Sequence, residues 1–156
     1  DRFVFPNGCQ VAEVEIDPET GALALLRYTA VDDYGRLVNP MLTISQVQGG
    51  LVQGIGQALM EECGYDAESA QPTNASMMDY ALPRADDLPM LDVSLVEVPT
   101  ATNRLGVKGS GQAGAIGSPQ TVMNAVLDAL RPVGVQALDM PATPQRIWRA
   151  IRDARG

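Results

Sequence analysis

The chain predicts a single α+β domain, residues 1–156, and three observations predict it. An alternating segment, a turn and a second apolar run come first; later segments switch to apolar spacings of three and four; and no repeat, low-complexity tract or linker divides the chain. Composition agrees, because 46% hydrophobic against 19% charged residues supplies a core that a disordered chain lacks.

Residues 11–16, VAEVEI, set Ala12, Val14 and Ile16 against Glu13 and Glu15. DPETG follows, in which Pro18 presets a turn dihedral and Gly21 tolerates a positive φ, and then a second apolar run, ALALLRYTAV. Together they predict a β-hairpin. DDYGRLVNP reads as a polar loop closed by Pro40.

From Thr43 the period changes, with Ile44, Val47, Leu51, Ile55 and Leu59 on one stripe and Thr43 and Gln46 in capping-box positions. This predicts a helix ending near Cys63 and Gly64. Its interior holds Gly49, Gly50, Gly54 and Gly56, each costing about 1 kcal/mol relative to Ala. Two readings account for the cost: close packing on another element, or a ligand lying against the helix with Gln53 as polar contact. Both stay open at the level of sequence.

Residues 64–90 are mixed, and DYALPRADDLP reads as loop and extended chain because its prolines block regular structure. LDVSLVEV, 91–98, predicts a strand. A glycine-rich loop, GVKGSGQAGAIGSP, occupies 106–119. Ser118 as N-cap and Pro119 as first helical residue then predict a helix to about Leu130, with Val122, Val126 and Leu130 buried. Thr143 and Pro144 repeat that signal for a last helix, with Ile147 and Ile151 inward and Arg146, Arg149 and Arg152 outward.

Several function classes fall away. A net charge of -8 without any basic run argues against nucleic acid and anionic membrane as partners. Cys9 and Cys63, with no C-x-x-C and no histidine, give neither a common zinc pattern nor a disulfide framework. No apolar run reaches the roughly 18 residues that span a bilayer, so a reducing, cytoplasmic location is expected. A chain that opens on Asp1 is read as a processed piece or part of something longer.

The glycine loop carries the chemistry. Gly109, Gly111 and Gly114 spell G-x-G-x-x-G, but the preceding strand ends too early and the helix starts too late for a dinucleotide fingerprint, and no G-K-[ST] follows for a Walker A loop. What survives is an array of uncovered backbone N–H groups beside Lys108, with Gln112 inside it. Such a nest can approach an anionic group or a planar cofactor, and a mobile surface loop is the alternative.

The segments NGCQVAEVEIDPETG, QVQGGLVQGIGQALMEE, MDYALPRADDLP and GVKGSGQAGAIGSPQTVMNAVLDAL follow one another through nearly the whole chain. In this order and spacing they resemble the C-terminal part of the molybdenum-binding large subunit of the xanthine dehydrogenase and aldehyde oxidase family, in its bacterial, carbon monoxide dehydrogenase-like branch. The resemblance implies a molybdopterin cofactor with molybdenum, in its cytosine dinucleotide form, approached by Gln53 of the Q-G-[IL]-G motif and by the backbone of Lys108, Gly109, Ser110 and Gly111. It implies as partners the remainder of the subunit, an FAD subunit and a 2Fe-2S subunit, and as reaction the oxidation of aldehydes, purines or other N-heterocycles with water as oxygen source.

The family's motif has a glutamate directly after K-G-x-G, the general base of hydroxylation, where this sequence has Gln112. A carboxamide hydrogen-bonds but does not take a proton at neutral pH. Gln112 therefore signals an altered paralogue, a member with different chemistry, or a substitution made by design. Members of the family are several times longer, so this chain alone is expected to be inactive, as a fragment or as a separately encoded piece completed by another chain. The alternatives from other classes are a non-catalytic folded module and a free-standing dinucleotide-binding protein.

Overall fold

The computed structural model describes residues 3–156. Strands β1 (Asn7–Ile16) and β2 (Leu23–Asp33) form the expected antiparallel hairpin. Its turn is closed by the Gly21 N–H on the Asp17 carbonyl at 2.8 Å, with Gly21 at φ 73°. Strand β3 (Leu91–Leu95) pairs in parallel with β2, giving the order β1-β2-β3. A parallel neighbour needs a long crossover, supplied here by α1 (Pro40–Leu59) and the irregular segment after it. Helices α2 (Ala113–Leu130) and α3 (Pro144–Arg155) complete the mixed α+β fold.

The core is contiguous. Tyr28 and Ala30 of β2 are fully covered, as are Val47, Leu51 and Ile55 of α1, Val122 and Val126 of α2, and Ile147 of α3. The stripes on all three helices are those that apolar spacing predicts.

Several boundaries differ from expectation. Strand β2 runs to Asp33, so Asp32 and Asp33 are buried strand residues rather than loop, because both carboxylates find donors. Helix α1 begins at Pro40: Asn39 is its N-cap, accepting from the Leu42 N–H at 3.1 Å, with Pro40 at the first helical position. Thr43 accordingly caps nothing and donates back to the Asn39 carbonyl. The helix also ends at Leu59 rather than near Cys63, and β3 ends at Leu95.

The largest correction concerns α2. It begins at Ala113, and Ser118 and Pro119 lie inside it rather than opening it. The small residues Gly50 and Gly54 of α1 meet Gly114 and Ser118 of α2, and a Cβ on Gly114 would stand 2.6 Å from the Val47 carbonyl oxygen. That backbone-close crossing holds the first turns of α2 helical, and tertiary packing outweighs the start signal that Ser118 and Pro119 carry. Helix α3 starts as predicted, the Thr143 hydroxyl accepting from the Arg146 N–H at 3.4 Å.

Candidate functional site

The segment 106–112 lies between the end of β2 and the start of α2. It is stitched to β2 by the Arg36 N–H on the Gly106 carbonyl and the Lys108 N–H on the Tyr34 carbonyl, each at 2.9 Å, and by a bridge pairing Gly35 with Val107. Gly35 and Gly106 both sit at positive φ, 67° and 69°, where L side chains are strained.

Asp33 organises this junction. One carboxylate oxygen accepts from the Gly35 N–H at 2.7 Å and the Val98 N–H at 3.0 Å, while the other pairs with the Lys108 ammonium. The two side chains are only 12% and 10% exposed. Desolvation pushes the Asp33 carboxyl up, but the Lys108 contact and the two backbone donors outweigh it and hold the group below its ordinary value. The Lys108 charge is thus turned inward. What the loop presents outward is peptide N–H.

Beyond Lys108 the chain is bare. A Cβ built on Gly109 or Gly111 would meet nothing within 4 Å, and neither glycine has a positive φ. Among the described residues, the N–H groups of Gly109, Ser110, Gly111 and Gln112 find no acceptor in the chain. The Gly111 carbonyl accepts from Gln46 Nε2 of α1 at 2.6 Å. Gln112 is the N-cap position of α2, at φ -123°, but its exposed side chain makes no capping bond and is free to meet another group.

Of the sequence-predicted residues, Lys108, Gly109, Ser110, Gly111 and Gln112 form one continuous element. Gln53 is exposed on α1, on the stripe shared with Gln46 and Gly49. The four helix glycines divide between the two readings. Gly50, Gly54 and Gly56 are needed for packing against α2 and Pro83, whereas a Cβ on Gly49 would meet nothing within 4 Å.

One cavity lies against the segment and a second beside the first turns of α2. The first, about 520 Å³, is lined by Arg36, Asn39, Leu42, Gln46, Ser110 and Gly111. The other, about 440 Å³, has an apolar mouth at Phe5, Pro6 and Ile116 and a polar floor at Gln10, Asp32 and Thr121. In that floor the Tyr34 hydroxyl donates to Asp32 at 2.9 Å and the Tyr28 hydroxyl to Gln10 at 2.7 Å. Burial raises the Asp32 carboxyl above its ordinary value despite its hydrogen bonds, and burial pushes Tyr28 up to about 12. No group of three His, Cys, Asp or Glu side chains that could hold a metal occurs among the described residues.

The sequence profile of the molybdopterin cofactor-binding domain matches residues 1–89, more than half of the chain. The chain belongs to this family. The chain is 38% identical over 151 residues to the nicotine 6-hydroxylase large subunit of Paenarthrobacter nicotinovorans, matching 97% of itself and 18% of that protein. It is 35% identical to the carbon monoxide dehydrogenase large chain of Hydrogenophaga pseudoflava, over 97% of itself and 19% of the relative. The fold agrees with the solved quinoline 2-oxidoreductase of Pseudomonas putida 86 at a TM-score of 0.91 and 38% identity, covering 96% of this chain and 19% of that one. The chain therefore spans about a fifth of the length of the curated relatives it matches.

Three residues of this site were missed by sequence reading: Asp33, Asn39 and Gln46 as a loop tether. The Asn-Pro pair at 39–40 is a helix-start signal that could have found Asn39. Asp33 has one local partner, the Gly35 N–H two residues on, but the Lys108 contact of Asp33 and the Gly111 contact of Gln46 lie 75 and 65 residues away and leave no local signal.

Proposed function

We propose that the chain is the C-terminal cofactor-holding segment of a molybdenum hydroxylase large subunit, working in the cytoplasm with the remainder of that subunit and with FAD and 2Fe-2S partners. The observation that carries this reading is bare backbone without use inside the chain. Gly49, Gly109 and Gly111 face open space where a Cβ would fit, and none has a positive φ. Each is a liability in isolation, so their bareness fits a flat group lying against them.

Molybdopterin, in its cytosine dinucleotide form, would be held by the backbone of Lys108, Gly109, Ser110 and Gly111 and by the Gln53 carboxamide. When bound it supplies two-electron oxidation of an electron-poor carbon, with water as the oxygen source. The N–H groups of 109–112 donate to acceptor oxygens, helped by the positive end of the 18-residue α2. Aldehydes, purines and other N-heterocycles form the substrate class, and the relatives named for nicotine and quinoline favour an N-heterocycle.

Gln112 stands where the resemblance places the general base. Its amide orients a substrate or an acceptor oxygen and leaves the proton where it is. This residue also favours a second reading, a folded module that binds cofactor without catalysis.

The test uses the natural full-length subunit assembled with its partner subunits. The expected results are about one molybdenum per large subunit and, for Gln112→Glu, a rise in N-heterocycle oxidation on the order of 10²- to 10⁴-fold. A fully assembled complex without the metal would overturn the cofactor reading. Stoichiometric metal with background turnover in both forms would select the non-catalytic module.

A further inference from the structure

We propose that the Asp33–Lys108 pair and the Gln46–Gly111 bond are two anchors that hold the segment Gly109–Gly111 taut between β2 and α1, making Asp33 and Gln46 positioning residues for a ligand bound through peptide N–H groups. The proposal rests on the reading of that segment as the cofactor contact.

The geometry is that of a bridge between two posts. At one end the enclosed ion pair, the Lys108 N–H on the Tyr34 carbonyl and the Gly35–Val107 bridge fix the chain up to residue 108. At the other, Gln46 Nε2 holds the Gly111 carbonyl from α1, and α2 begins two residues later at Ala113. Between the posts a Cβ on Gly109 would meet nothing within 4 Å, and the N–H groups from 109 to 112 are unused among the described residues.

Glycine loses more conformational freedom on ordering than any other residue. Left untethered, a Gly-Ser-Gly run would be ordered only by its ligand, and affinity would fall by that cost. Anchored at both ends, the run is ordered when the domain folds. A bonded carbonyl at Gly111 is also kept from facing the acceptor oxygens that the neighbouring N–H groups serve.

The arrangement assigns Lys108 a role different from that of a phosphate-binding lysine. Its ammonium is matched by the Asp33 carboxylate within the fold, so it has no free charge to give a ligand anion. The ligand edge this segment fits is a row of acceptor oxygens, recognised by N–H donors rather than by a side-chain cation.

Gln46→Ala, Lys108→Met and Lys108→Arg, made in the full-length subunit assembled with its partners, test this. Two quantities are read: molybdenum retained per subunit after exhaustive dialysis, and hydrogen exchange at the Lys108 and Arg36 amides against that at the core amides of Ile55 and Val126. Gln46→Ala and Lys108→Met are expected to lower retention about tenfold. Lys108→Met is expected to speed exchange at Lys108 and Arg36 about tenfold while the core amides keep their rates. Lys108→Arg, which keeps the charge, is expected to retain the metal.

Unchanged retention in both Gln46→Ala and Lys108→Met would overturn the proposal. So would faster exchange at the core amides in step with the loss of metal, since that would reduce the pair to general stability. If the unaltered complex holds no molybdenum, the cofactor reading fails by itself. The exchange measurement still decides the Lys108 anchor, supporting it if the two loop amides accelerate and overturning it if they do not.

Discussion

Gly54 of α1 lies directly against Ser118 of α2, so close that any Cβ at position 54 would collide with the Ser118 hydroxyl oxygen. That hydroxyl is fully buried and, among the described residues, without a hydrogen-bond partner. The contact sets how near the two helices approach, and therefore where α2 presents Gln112.

Gly54→Ala is expected to destabilise the protein by about 1–3 kcal/mol through overpacking, despite the better helix propensity of alanine. Ser118→Ala removes an unsatisfied buried oxygen and is expected to be neutral or stabilising by about 1 kcal/mol. Urea midpoints of the two single variants and the double variant check both, and a less-than-additive cost in the double variant is expected because the two residues touch.

Gly49→Ala separates packing from ligand contact. Its site is open, so alanine is expected to stabilise α1 by about 0.5–1 kcal/mol. Metal retention by the assembled subunit should fall, because the new methyl group occupies the bare patch between Gln46 and Gln53. Tm and molybdenum content moving in opposite directions is the expected outcome; equal retention would remove Gly49 from the site.

Asn39→Ala is expected to cost about 1 kcal/mol by removing the cap of α1. Thr43→Ala should cost less, since the Thr43 hydroxyl only returns a bond to a carbonyl already engaged in the helix. Equal losses in chemical denaturation would restore Thr43 as a cap.

The two neighbouring aspartates are expected to respond to pH in opposite senses. Asp33 is held below its unfolded value of 3.8, so its contribution is present above that pH and is lost as the pH falls from 3.8 through the lowered folded value. Asp33→Asn should therefore be destabilising at pH 7 and converge on the unaltered protein in acid. Asp32 is raised above 3.8, so the proton-bound form stabilises the fold below 3.8 and that contribution is lost as the pH rises through the folded value. Asp32→Asn should gain stability at pH 7 and lose that advantage near pH 3. Denaturation midpoints of both variants across this range test the pair of signs.

Local chemistry made much of this protein legible in one dimension. The alternation at Val14 and Ile16, the Pro18 and Gly21 turn, the stripes of α1 and α3 and the Thr143–Pro144 start all act within a few residues, where side-chain periodicity and dihedral preference decide the outcome. The ordered motifs likewise carried the family, since the residues that keep backbone bare are written directly in the glycines. The same local logic misplaced the start of α2, because Ser118 and Pro119 carry a start signal that close packing of Gly114 on α1 overrides.

What only the tertiary structure decided is which bare residues serve the fold and which are left over. Gly50, Gly54 and Gly49 are alike in sequence; α2 lies on the first two and leaves the third open. Lys108 could face a ligand or the interior, and the carboxylate of Asp33, 75 residues away, turns it inward. Such choices depend on distances between segments remote in the chain, which no local pattern encodes, because desolvation and charge pairing act through space once the core has brought β2, α1 and the glycine segment together.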